Sequence, residues 1–130
     1  MILGLGIDIV EIRRIATLME KHTGFVERIL SAEERALLPS AGEWRLAEYV
    51  AGRFAAKEAA SKALGTGIGG SLGFHDIRIT KEAGGRPLLQ LAPAALARLF
   101  PAQHDRLRFH LSISHSKEYA AAQVIIETTR

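Results

Sequence analysis

A chain of 130 residues with 48% hydrophobic side chains is sized for one domain, residues 1–130, whose core needs no covalent staples. It contains no cysteine, which excludes disulfides, thiolate metal sites and cysteine nucleophiles, and no apolar run reaches the length of a membrane span. A net charge of +3 suits an acidic protein, a polyphosphate or a nucleic acid, but aromatics are only 6% and nowhere interleave with cations as a base-stacking surface would.

The first element is an apolar run from Ile2 to Val10, interrupted by Asp8, which reads as a buried strand. It lacks the basic region of a signal peptide, so the cytoplasm is the expected location. A carboxylate inside such a strand is costly unless it is paired, protonated or bound to a cation. Capping of the next helix, pairing with an arginine and holding a metal all remain open for Asp8.

A helix is expected from Glu11 to about Glu20, with Ile12, Ile15, Ala16 and Met19 at helical spacing and Arg13, Arg14 and Thr17 on other faces. Thr23-Gly24 breaks it, and Phe25, Val26, Ile29 and Leu30 follow with Arg28 among them. Ser31 and Glu34 have the spacing of a capping box, predicting a short helix to Leu38, stopped by Pro39.

The longest predicted helix runs from Gly42 to Leu64, with Trp44, Ala47, Val50 or Ala51, Phe54, Ala55, Ala59 and Ala63 as its apolar stripe. Residues four apart share a face, so Arg53, Lys57 and Ser61 form one row and Phe54, Glu58 and Lys62 the next. Glu58 among cations is either part of a surface ladder of ion pairs or a carboxylate that holds a metal beside a phosphate ester; spacing alone favours the ladder. The stretch Gly65-Thr66-Gly67-Ile68-Gly69-Gly70 follows the helix instead of preceding it, and no Walker or dinucleotide pattern is present. It reads as a flexible exit whose amides can still meet a phosphate.

The second half reads as strands. His75 to Thr80 alternates, Ala83 to Pro87 makes a hairpin turn, and Leu88 to Leu91 returns. Pro93 opens a short helix to Leu99. Leu107, Phe109, Leu111 and Ile113 alternate with Arg108, His110, Ser112 and Ser114, and Tyr119 to Ile126 is the expected antiparallel partner. Between them lies Ser112-Ile113-Ser114-His115-Ser116-Lys117, either a turn rich in side-chain caps or an anion site in which His115 and Lys117 donate to phosphate. The fold class is α+β, an antiparallel sheet packed against a long helix.

Taken together, these blocks make the chain similar to the holo-[acyl-carrier-protein] synthases, the small bacterial 4′-phosphopantetheinyl transferases. The resemblance is carried by Gly6-Ile7-Asp8-Ile9-Val10-Glu11-Ile12, by Arg53-Phe54-Ala55-Ala56-Lys57-Glu58-Ala59 continuing through Lys62-Ala63 to Gly65-Thr66-Gly67, by Gly85-Arg86-Pro87 and by Ser112-Ile113-Ser114-His115. Residues 92–106 carry no motif of the family.

The resemblance implies the 4′-phosphopantetheinyl transferase fold and transfer of the 4′-phosphopantetheine arm of coenzyme A to a serine of apo-acyl carrier protein, leaving adenosine 3′,5′-bisphosphate. It implies Asp8 and Glu58 as ligands of Mg²⁺, and Lys62 beside them at the pyrophosphate or the attacking serine. Arg53 and His115 become partners of the adenosine-side phosphates, with Ser61, Gly65 and Ser114 as further coenzyme A contacts. Arg13, Arg14, Lys21 and Arg28 would receive the acidic helix of the carrier protein, with Leu18 and Phe25 as apolar contacts. The family pattern also implies a cytoplasmic homotrimer with active sites at subunit interfaces, serving fatty acid biosynthesis and engaging neither membrane nor nucleic acid. The competing class is a non-catalytic basic module binding nucleic acid or an acidic protein, which needs neither Asp8 nor a metal.

Overall fold

The structure is a computed structural model that describes residues 1–129. Strand β1 (Ile2–Glu11) leads directly into α1 (Ile12–Lys21), followed by the short helices α2 (Phe25–Ile29) and α3 (Ala32–Arg35) and the long helix α4 (Glu43–Leu64). Beyond it come β2 (Ile77–Lys81), β3 (Pro87–Leu91), α5 (Pro93–Leu99), β4 (Leu107–His115) and β5 (Tyr119–Thr128). Single 3₁₀ turns at Phe74–Asp76 and His104–Arg106 precede β2 and β4.

β1, β5 and β4 form an antiparallel sheet in that order, and β2 pairs with β3 as a separate hairpin. The expected pairing of the two carboxyl-terminal strands is therefore present, with β5 central. The long helix lies across the sheet. Ala47, Val50, Ala51, Ala55, Ala56, Ala59 and Ala60 on α4 are buried against Val10, Ala120, Ala122, Val124 and Ile126.

The alanines matter because the helix backbone comes very close to β1. A Cβ added to Gly6 would stand 1.9 Å from the Ala59 carbonyl oxygen, and one on Gly4 would stand 2.0 Å from that of Ala63. Only glycine permits this approach. It seats Asp8, two residues further on the same strand face, beside the helix.

Three sequence expectations change. β1 is not a buried strand: it pairs on one side only, and Leu5, Ile7 and Ile9 are each about 60% exposed at 59%, 62% and 65%. Its even-numbered residues face α4 and its odd-numbered residues face out, so one face of an apolar run is left uncovered in the single chain. The helix after Ser31 stops at Arg35 and not Leu38, because the chain tightens into i→i+3 bonds from Leu37 to Glu34 and from Leu38 to Arg35. Trp44, expected on the apolar stripe, is 41% exposed beneath the Arg13 guanidinium, 6.0 Å from its ring centre. The capping box itself is present, Ser31 Oγ accepting from the Glu34 amide and Glu34 Oε1 from the Ser31 amide.

Candidate active site

Asp8 and Glu58 come together although fifty positions separate them. Lys62 Nζ donates to Asp8 Oδ1 and to the Ile7 carbonyl, both at 3.0 Å, which ties the last turns of α4 to β1. Asp8 is therefore paired with a lysine, not with an arginine or a helix amide. Glu58 sits one helical turn before Lys62. Its carboxyl is raised above the ordinary 4.5, first by burial and then by the negative charge of Asp8, while Lys62 and Arg14 partly offset the rise. Two carboxylates, one of them disfavoured as an anion chiefly by burial, are thus near enough to influence each other, an arrangement that a divalent ion relieves.

The donor set fits a hard cation. Among the described residues no group of 3 or more His, Cys, Asp or Glu side chains is placed to hold a metal alone. Two carboxylates with the remaining positions left to water and substrate phosphate is the pattern that suits Mg²⁺.

Lys57, adjacent in sequence to Glu58, points elsewhere. It is fully buried, and its ammonium donates to Ile29 O, Glu34 Oε1 and Phe74 O at 2.8, 2.7 and 3.0 Å. A simple surface ladder of ion pairs around Glu58 is therefore not what the helix carries. Ser61 is also turned inward, 1% exposed, its hydroxyl donating to the Glu58 carbonyl at 2.7 Å. Gly65 ends α4 in the left-handed region at φ 77°, and the amides of Thr66 and Gly67 both reach back to the Ser61 carbonyl. The glycine loop is a helix exit, as its position after the helix predicts.

A second cluster lies at the amino-terminal half of α4. Arg53 and His115 line a cavity of about 240 Å³ together with Arg45, Glu48, Tyr49 and Lys81, closed on one side by Gly85 and Pro87 of the β2–β3 hairpin. Arg53 stacks on the Tyr49 ring at 4.0 Å, and burial draws its guanidinium below the usual range. His115 Nδ1 stands 3.5 Å from Glu48 Oε2, and Arg45 Nη1 is 3.6 Å from Glu48 Oε1. Several cations facing one carboxylate make a pocket for a polyanion. Arg45 and Lys81 were not legible in the sequence, since nothing in their local pattern says that a hairpin folds over that face of α4.

The two clusters share no lining residue in the single chain. Ser114 belongs to neither: it alternates with Ile113, which lines the cavity, and so stands on the opposite, outer face of the sheet beside Ala121 and Ile9. A third feature is a groove of about 440 Å³ between α1 and α2, lined by Leu18, His22, Gly24, Phe25 and Arg28. Arg14 and Leu18 share a row of α1, His22 caps its carboxyl-terminal end, and Arg13, Lys21 and Arg28 are exposed nearby. His22 is the member of this surface that the sequence reading lacked.

The chain belongs to the 4′-phosphopantetheinyl transferase superfamily, whose model matches residues 4–124. It is similar to the holo-[acyl-carrier-protein] synthase of Anoxybacillus flavithermus, 50% identical over 127 residues, 98% of this chain and 97% of the relative. Among solved structures it resembles the holo-(acyl-carrier-protein) synthase of Bacillus anthracis in complex with CoA (3′,5′-ADP), with a TM-score of 0.82, 46% identity and 99% of both chains covered. The corresponding Helicobacter pylori enzyme in complex with coenzyme A aligns with a TM-score of 0.81 at 36% identity, over 95% of this chain and 99% of the other.

Proposed function

We propose that this chain is a holo-[acyl-carrier-protein] synthase that transfers 4′-phosphopantetheine from coenzyme A to a serine of apo-acyl carrier protein, and that Asp8 and Glu58 hold the Mg²⁺ it requires. The observation that carries the reading is the Asp8–Glu58–Lys62 cluster, built from the first strand and the long helix of a chain in this superfamily. Membership of a transferase family, and a site with two carboxylates, disfavour the non-catalytic binding module.

When bound, Mg²⁺ supplies Lewis-acid neutralisation of the charge that develops on the leaving pyrophosphate oxygen. Lys62, anchored on Asp8 and the Ile7 carbonyl, holds a cation at the rim where the pyrophosphate and the incoming serine must meet. The serine Oγ forms the new bond to the phosphorus carrying the pantetheine arm; the bond from that phosphorus to the bridging oxygen breaks, and adenosine 3′,5′-bisphosphate leaves. Glu58, one helical turn from Lys62, is placed to take the serine proton through a water. The cavity with Arg45, Arg53, Lys81 and His115 is suited to the phosphates on the adenosine side. Gly65, exposed at the end of α4 beside Lys62, stays in the proposed set as a backbone contact.

Arg13, Arg14, Lys21 and Arg28, with Leu18 and Phe25 in the groove, form the proposed landing surface for the carrier protein. The working unit is proposed to be a homotrimer with active sites between subunits. Two features support it: the apolar outer face of β1, and the standing of Ser114 on that outer face while Arg53 and His115 line a cavity on the helix side. The cytoplasm is the proposed location; no helix among the described residues is long and apolar enough to cross a membrane.

Mass spectrometry of apo-carrier protein incubated with coenzyme A, Mg²⁺ and the enzyme tests the proposal. The carrier should gain the mass of one phosphopantetheine arm, and Asp8→Ala and Glu58→Ala should each lower the rate by roughly 10²–10³-fold or more with the fold intact. No mass gain with folded wild-type protein would overturn the assignment.

A further inference from the structure

Lys57 is among the largest fully buried side chains in the molecule, yet the proposed chemistry does not use it. Its three hydrogen bonds reach three separate segments: Ile29 O at the end of α2, Glu34 Oε1 on α3, and Phe74 O in the turn before β2. Glu34 passes the link on, since Oε1 also accepts from the Ser31 amide and Oε2 accepts from the Ile79 amide at 2.8 Å. No buried side-chain nitrogen or oxygen among the described residues lacks a partner, so this polar knot is complete.

The segments it ties are ones that cannot hold themselves. α2 has 5 residues and α3 has 4, far below the length at which a helix persists on its own. α4, by contrast, is fixed independently by its close approach to Gly4 and Gly6. The same three regions also meet through rings: Phe25 of α2 lies 6.2 Å from Phe54 of α4, and Phe54 lies 5.9 Å from Phe74. Phe25 and Arg28 line the groove between α1 and α2.

We infer that Lys57 is a positioning residue for the carrier protein: it anchors α2 and α3 to the catalytic helix and so holds Phe25 and Arg28 in register with the reaction centre that begins at the next residue, Glu58. This rests on the reading of the groove as the carrier-docking surface. A buried ion pair is a weak source of stability, because the desolvation of both charges offsets most of their attraction. Its neutral replacement can therefore fold while losing the geometry that the ammonium enforces.

The test compares Lys57→Met, the charge-neutral pair Lys57→Met/Glu34→Gln, and Arg28→Glu as a control for the docking surface. The double variant leaves no buried unpaired charge, and its glutamine keeps one acceptor oxygen, enough for either the Ser31 or the Ile79 amide but not both. Steady-state kinetics should show KM for apo-carrier protein raised about tenfold in the double variant, with KM for coenzyme A changed by less than about twofold. Hydrogen exchange should quicken at residues 25–35 and stay unchanged in α4 and the sheet. Unchanged exchange at 25–35, unchanged carrier KM in a folded double variant, or an equal rise in both KM values would overturn the inference. Failure of the double variant to fold would also overturn it, since Lys57 would then be a stability element. If Arg28→Glu leaves carrier KM unchanged, the docking reading fails by itself, and the exchange data still decide whether Lys57 anchors α2.

Discussion

At the residue scale, Glu58 joins stability to activity. Its carboxyl is raised above the ordinary 4.5 because burial and the charge of Asp8 both disfavour ionisation, against the opposing Lys62 and Arg14. Below its ordinary value the group is neutral in the folded and unfolded chain alike and contributes no penalty. As pH rises from there to the raised value, the unfolded chain ionises first, so the metal-free fold is progressively penalised, with the full penalty present above that window. Glu58→Gln should therefore melt higher than metal-free wild type at neutral pH, with the difference vanishing below the window. Mg²⁺ should raise the melting temperature of wild type and leave that of Glu58→Gln unmoved, because a ligand stabilises only the state that binds it. A melting series in pH, with and without Mg²⁺, reads both effects; equal Mg²⁺ responses in the two proteins would remove Glu58 as a ligand. The gain in stability should accompany loss of transfer, the usual trade at a site that holds like charges together.

At the element scale, the pairing of β1 with α4 and the α1–α2 surface each make a prediction. A methyl group at Gly6 would lie 1.9 Å from the Ala59 carbonyl oxygen, a backbone atom that can yield only if the helix moves off the strand. Gly6→Ala should cost on the order of 3 kcal/mol in denaturant unfolding and separate Asp8 from Glu58 in the molecules that remain folded. On the docking surface, Arg14 stands close enough to Glu58 to influence its charge and shares a helix row with Leu18. Arg14→Glu should raise KM for carrier protein by about tenfold or more and change KM for coenzyme A far less. The carrier KM of wild type should also climb with salt over the range where the screening length falls below about 10 Å, and the variant should lose most of that slope. Equal effects on both substrates would show that α1 does not receive the carrier.

At the scale of the whole molecule, the single chain is uneven. One face of its three-stranded sheet is covered by α4, while Leu5, Ile7 and Ile9 of the other face stand more than half exposed beside Ile125, Gln123 and Ala121. A run of that kind is an interaction surface or an aggregation hazard, and the trimer proposed above would cover it. Leu5→Lys, whose site is 59% exposed and touches neither carboxylate, should sediment as a monomer where wild type sediments as a trimer, and should lose transfer activity with its fold preserved. A monomeric wild type with full activity would remove the shared-site reading.

Much of the architecture is legible in the sequence because its causes are local. The Ser31–Glu34 box, the left-handed Gly65 that ends α4, the alternation of β4 and the hairpin at Gly85 each depend on neighbours within a few residues. Asp8, Glu58 and Lys62 were legible as a set only through the ordered motifs of the resemblance, and the structure brings the three together. Tertiary structure alone decided which side of a pattern is used. Lys57 and Glu58 are neighbours in one charged run, yet a helix turns about 100° between them, and acceptors 28, 23 and 17 residues away take the lysine into the core. β1 reads as a buried strand, but among the described residues the sheet is covered by α4 on one face and open on the other, so half of the strand remains exposed. Arg45 and Lys81 join Arg53 and His115 only because a hairpin distant in sequence closes over α4. Local chemistry determined most of the elements, α2 excepted, and their boundaries to within a turn; which face of each meets another element depends on contacts between residues far apart in the chain, and no local pattern encodes them.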